Sequence, residues 1–189
     1  MSGQPLERMS PEAYLAFERR ADVRHQYVEG EAFAMAGASE RHNLIVTNLL
    51  IEIGLQLRDR PCRVYPGDLR VAVSEQGPFY YPDVAALCAE PRFLDAERDT
   101  LLNPEVVVEV LSPSTEAFDR GLKFSHYRTM PSLNEVLFVA QDALRVEHFA
   151  RQPDGRWLFS DHAGSGAVLE LPSLGCRLEL ARIYDKLGL

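Results

Sequence analysis

The sequence is short of the features that announce most enzyme classes. It has no HExxH, no GxSxG, no Walker-type glycine loop and no dinucleotide fingerprint, which disfavours zinc protease, serine hydrolase, NTPase and dehydrogenase chemistry. Cysteine is scarce. Cys62, Cys88 and Cys176 are odd in number, widely spaced and form no CxxC, so they read as reduced thiols rather than a disulfide frame or a zinc site. The longest apolar runs are strand-sized, far short of the roughly 18 residues of a spanning helix, and Met1 to Ser10 lacks the apolar core of a secretory signal. A cytoplasmic protein with no membrane partner is therefore expected. Repeats, low-complexity tracts and long Gly, Pro or Ser linkers are also lacking, so residues 1–189 are expected to form one domain. The net charge of −8 at pH 7 disfavours strong nonspecific binding to nucleic acid, while leaving room for a local basic groove or a metal that screens acidic ligands.

What is present is patterned. "SPEAYLAFER" predicts a short helix with Ser10 as cap and Pro11 in the first turn, ending near Arg20. "QYVEGEAFAMAG" reads as an extended hairpin-like stretch punctuated by Gly30. From Ser39 to about Arg58, Ile45, Leu49, Ile53 and Leu57 recur at helical spacing, and Pro61 marks the stop. "CRVYPGDLRVAVS", "YYPDVAALC" and "PEVVVEVLS" predict three strands in the middle of a sheet; the last lacks alternation and needs cover on both faces. A helix over "STEAFDRGLKFSHYRTM", the strands "EVLFVA", "RVEHFAR" and "RWLFSD", and a closing helix in "LARIYDKLGL" complete the outline. The fold class is α/β, in the α+β sense of a mixed sheet flanked by helices, with an N-terminal β-hairpin and extra strands toward the C-terminus.

Two carboxylates stand on consecutive predicted strands, Asp83 in "YYPDVAAL" and Glu109 in "VVVEVL". If the strands pair, both lie on one face, a geometry suited to a hard divalent cation with oxygen ligands. Each alone also fits an ordinary ion pair or edge position. Pro82 removes a ladder donor and marks a strand start, edge or bulge. Asp119 and Lys123, four apart on the following helix, form either a helix ion pair or a group that returns over the sheet, where the ammonium could stabilise a developing phosphorane charge or orient a water. Glu31 and Asp68 are further candidates for an acidic cluster; alternation puts Glu29 and Glu31 on the same face, so spacing does not choose between them. His42, early in the long helix, fits a phosphate contact or a simple helix-face residue.

The stretches "YVEGEAFAMAGASERHN", "YPGDLRVAVS", "YPDVAALC", "NPEVVVEVLSPSTEAFDRGLKFSHYRTMPSLNEVLFVAQD" and "RVEHFAR" together resemble the Uma-type family of restriction-endonuclease-like proteins, a branch of the PD-(D/E)XK nuclease superfamily, from about residue 8 to the C-terminus. The resemblance implies a restriction-endonuclease-like core in which Asp83 matches the PD aspartate and Glu109 the second acid. The strand-borne lysine of (D/E)XK is missing, since position 111 is Leu111; Lys123 is the matching residue, relocated to the next helix, and Glu31 looks like an additional acid from the hairpin. By that analogy Asp83, Glu109 and the carbonyl of Val110 bind Mg²⁺ or Mn²⁺, Lys123 positions the attacking water, and the substrate is DNA, cut by a homodimer. The alternative is a catalytically silent module that keeps the nuclease fold and binds nucleic acid or protein.

Overall fold

A computed structural model describes residues 6–189. The first half of the Met1 to Ser10 stretch therefore lies outside the described residues. Pro11–Glu18 forms α1, capped by the Ser10 side chain, which accepts from the Ala13 N–H. The hairpin strands β1 (His25–Val28) and β2 (Glu31–Ala34) follow, then α2 (Glu40–Leu57), capped by Ser39. The strands after it are β3 (Arg63–Pro66), β4 (Arg70–Ala72), β5 (Phe79–Tyr80), β6 (Val84–Leu87), β7 (Thr100–Leu101) and β8 (Val106–Val110). A continuous helical stretch comes next: α3 (Glu116–Phe118), a π turn over Asp119–Lys123, and α4 (Phe124–Tyr127). The chain ends with β9 (Glu135–Val139), β10 (Arg145–Arg151), β11 (Trp157–Ala163), β12 (Val168–Leu171), β13 (Cys176–Glu179) and α5 (Leu180–Ile183).

The central sheet has six strands in the order β11-β10-β9-β8-β6-β3, mixed because only β8 and β9 run parallel. β8 lies inside it, which explains its unbroken apolar run. Val106, Val108 and Val110 pack on one face against Ile45, Leu49 and Ile53 of α2 and Leu178 and Ile183 near the C-terminus. Val107 and Leu111 pack on the other against Tyr80, Tyr127 and Phe138. Glu135 in β9 is buried by accepting from the Ser173 backbone N–H at 2.9 Å and from the Ser173 hydroxyl, and by pairing with His148 Nε2 at 2.8 Å.

Two predicted strands are each divided between sheets. "CRVYPGDLRVAVS" breaks at Gly67–Leu69 into β3 and β4, and "YYPDVAALC" breaks at Tyr81–Asp83 into β5 and β6. β4 and β5 belong to a second sheet, ordered β2-β1-β5-β4-β7. The pairing explains the break: Pro66 opposes Val84 on one side of it and Val71 opposes Tyr80 on the other, so five steps of one strand match four of its partner. That single extra residue is a β-bulge, which bends a ribbon sharply enough to pass it from one sheet to the next. β3 is consequently an edge strand rather than one of three in the middle.

Three expectations are corrected. Cys62 and Cys88 form a disulfide, not reduced thiols; the register Arg63↔Leu87, carried one step further, sets them opposite each other just before β3 and just after β6 despite 26 residues of separation. Cys176 is free and buried. The closing helix is a single turn, and the hairpin β12–β13 before it was not anticipated. Among the described residues no helix is long and apolar enough to cross a membrane.

Asp99, just before β7, ties α1 to the second sheet. Arg19 grips both its oxygens at 2.8 and 3.0 Å, and Arg70 of β4 stands 2.9 Å away. The hydrogen bonds from Arg19, opposed by partial burial and aided by Arg70, hold the Asp99 carboxyl well below the usual carboxylate range. A depressed folded-state pKa contributes stability that is complete above the unfolded value, near pH 4, and is lost as pH falls below it. Thermal midpoints should therefore decline more steeply below pH 4 in the wild type than in Asp99→Asn, and equal slopes would contradict the assignment.

Candidate metal centre

The register of β6 and β8 decides where the acids go. Val84 opposes Val108, and one step back along β6 sets Asp83 opposite Glu109, so the two side chains leave the same face at the end of the pairing. One further step would oppose Val110 to Pro82. Proline has no N–H, so the ladder stops there and the Val110 carbonyl gains no donor from β6. The Val110 N–H turns to Asp83 instead, donating to Oδ2 at 2.7 Å.

His42 approaches from the first turn of α2, with Nε2 3.2 Å from Asp83 Oδ1, while its Nδ1 is buried without a partner among the described residues. From the other side comes the helical stretch 116–127. Residues four apart on a regular α-helix drift by about 40° per step. The wider π turn over Asp119–Lys123 absorbs that drift, and Asp119, Lys123 and Tyr127 fall along one face. Lys123 Nζ reaches Glu109 Oε1 at 2.7 Å and Asp119 Oδ1 at 3.4 Å, and Tyr127 donates its hydroxyl to the same Glu109 Oε1 at 2.7 Å. The rings of Tyr80 and Tyr127 flank the ammonium, 5.6 and 6.0 Å from Nζ.

Both partners are nearly dry, with side chains 2% exposed at Lys123 and 5% at Glu109. Burial pushes the Glu109 carboxyl up to about 8, against the pull of Lys123 and with the push of Asp119 and Asp83. Burial alone would lower Lys123, but Glu109 and Asp119 outweigh it and its pKa is raised, so it stays an ammonium. Lys123 thus meets two carboxyl groups directly, Glu109 and Asp119, while Asp83 on the neighbouring strand adds to the upward push on Glu109.

Asp83, Glu109, Lys123, Asp119 and His42 are thus brought together; Glu31 and Asp68 are not. Glu31 pairs with Arg8 at 3.4 Å, and Asp68, 75% exposed, pairs with Arg24 at 2.6 Å. Glu29 sits on the hairpin turn with a φ of 52°, so the strand alternation that would pair it with Glu31 does not hold there. Its charge is felt by Tyr80 and His126 near the site. Tyr127 was not among the sequence candidates; the signal was its place four residues after Lys123, continuing the spacing from Asp119. Among the described residues no three His, Cys, Asp or Glu side chains are placed to hold a metal ion by themselves.

The chain matches the Uma2 family, described as "Putative restriction endonuclease", over residues 11–182. It belongs to that family. Two uncharacterized proteins of the cyanobacterium Synechocystis sp. are similar along most of their length: sll1609 is 36% identical over 83% of this chain and 89% of its own, and slr1290 is 35% identical over 97% and 95%. The fold matches a crystal structure from Anabaena variabilis described as "a putative nuclease belonging to DUF820", with a TM-score of 0.76, 16% identity, and coverage of 94% of this chain and 98% of that one. The Uma2 chain therefore has the mixed α/β restriction-endonuclease-like fold.

Removing the Lys123 ammonium strands Glu109 and Asp119 in a dry site. In urea denaturation Lys123→Ala should lose about 3–5 kcal/mol, as other buried pairs do when one partner is removed. Lys123→Met combined with Glu109→Gln should recover a large part of that loss; a double variant no more stable than Lys123→Ala would contradict the pairing.

Proposed function

We propose that this Uma2 protein is a Mg²⁺- or Mn²⁺-dependent endonuclease that hydrolyses phosphodiester bonds of DNA. The observation that carries the reading is the opposition of Asp83 and Glu109 beside the Val110 carbonyl that Pro82 leaves without a ladder donor. The donor set fits a hard cation: two carboxylates and a carbonyl, all oxygen. Bound there, such an ion supplies Lewis-acid polarisation of the phosphate and a water of lowered pKa.

The chain's own residues do the rest. Asp83, Glu109 and the Val110 carbonyl would hold the ion, with the Val110 N–H orienting Asp83 through Oδ2 and His42 Nε2 lying 3.2 Å from Oδ1. An ammonium has three donors, and Lys123 commits two to Glu109 and Asp119, which leaves one for a water or a phosphate oxygen. Arg41, exposed beside His42 in the first turn of α2, offers a cation to the nucleic-acid backbone. It also lines, with Leu111, Ser112 and Gln141, a cavity of about 330 Å³ beyond the end of β8. A two-fold homodimer would present one such site to each strand of a duplex.

A second reading, a nuclease fold that binds without cutting, is favoured by the depth of Lys123 and its engagement with two acids. Cleavage of plasmid and oligonucleotide DNA separates the two. Activity should require Mg²⁺ or Mn²⁺ and fall by at least about 100-fold in Asp83→Ala and in Glu109→Ala, the scale on which a single preorganised group acts. Cleavage unchanged in both variants would remove the assignment, and metal-independent DNA binding without any cleavage would favour the second reading.

A further inference from the structure

Glu109 meets the protein through one oxygen. Oε1 receives both the Tyr127 hydroxyl and the Lys123 ammonium, each at 2.7 Å, and no hydrogen bond or ion pair among the described residues goes to Oε2. With a hydroxyl donating to it and an ammonium paired against it at the same distance, Oε1 is the engaged oxygen and Oε2 the one left to turn to a cation. We infer that Tyr127 is a positioning residue that sets cation selectivity: by filling Oε1 it confines Glu109 to binding a divalent ion through Oε2 alone, which favours Mg²⁺ over Ca²⁺. The inference rests on the metal reading proposed above and adds to it which ion the site prefers and why.

The chemistry follows from the two cations. Mg²⁺ demands a near-ideal octahedron of single oxygen donors, whereas Ca²⁺ accepts more ligands and takes carboxylates in bidentate fashion. A glutamate free to turn both oxygens to the ion serves Ca²⁺ well; one with an oxygen already occupied does not. Lys123 does not impose this by itself, because an ammonium has three rotatable donors and no directional preference between the two oxygens of a carboxylate. Tyr127 does. Its ring is fully buried and packs edge-on against Tyr80 with centroids 5.5 Å apart, so the hydroxyl is held at one point. A phenol hydroxyl has a single proton to give, and here it goes to Glu109 Oε1.

Tyr127→Phe retains the ring and its packing and removes only the hydroxyl. The test is binding of Mn²⁺ to the full chain followed by electron paramagnetic resonance, with Mg²⁺ and Ca²⁺ as competing ions and a thermal melt to verify the fold. Relative to wild type, Tyr127→Phe should shift the ratio of Mg²⁺ to Ca²⁺ affinities toward Ca²⁺ by about ten-fold, within the range by which groups behind a metal ligand tune affinity. Weakening of both ions by the same factor, or no change in either, would overturn the inference and leave the metal reading standing. A wild-type chain that takes up no Mn²⁺ would overturn both.

Discussion

A carboxylate in the middle of a buried strand is the constraint to which the surrounding elements respond. Glu109 sits between the valines of β8, where an unpaired charge would cost several kcal/mol. Lys123 answers it from the helical stretch 116–127, and that answer sets further requirements: Asp119 and the π turn hold the lysine, while Tyr127 and Tyr80 wall it off from solvent. Replacing such a pair by apolar residues often leaves stability unchanged or improves it. The pair is therefore better explained by what it does at the strand end than by what it adds to the fold.

That strand end exists because of a proline and a bulge. Pro82 stops the β6–β8 ladder one pair early, Asp83 takes over the Val110 N–H, and the Val110 carbonyl is left beside two acids. The same few residues carry the ribbon from one sheet to the other, with the bulge opposite at Gly67–Leu69. The site thus lies where two sheets part, and both the backbone irregularity and the oxygen donors left out of the ladder come from one local cause. Membership of Uma2 and the restriction-endonuclease-like fold place this geometry in a family described in terms of nucleic-acid cleavage.

Much of this was legible in the residues themselves. Helical spacing of Ile45, Leu49 and Ile53, the Ser10 and Ser39 caps, and the unalternating "VVVEVL" each have a local physical cause and were read without the structure. Asp83 and Glu109 were legible for the same reason, since consecutive strands that pair place equivalent positions together. The division of two strands between sheets was not, because a strand pattern does not record which neighbour it pairs with. The Cys62–Cys88 bond escaped for a related reason: only the β3–β6 register brings those residues together. Glu31 is named by the resemblance and not by spacing, which leaves it level with Glu29, and the fold pairs it with Arg8 while Glu29 takes a positive φ on the hairpin turn. Tyr127 needed the helix to be docked on Glu109 before its hydroxyl had a partner.

Crystals soaked in Mn²⁺ report, through the anomalous signal, on whether the oxygens of Asp83, Glu109 and Val110 act as one cation site. A peak is expected at ligand distance, about 2.0–2.6 Å for hard cations, from Asp83, Glu109 Oε2 and the Val110 carbonyl, with Lys123 still on Oε1. A peak elsewhere, or none while Asp83 and Glu109 keep the partners described above, would contradict it.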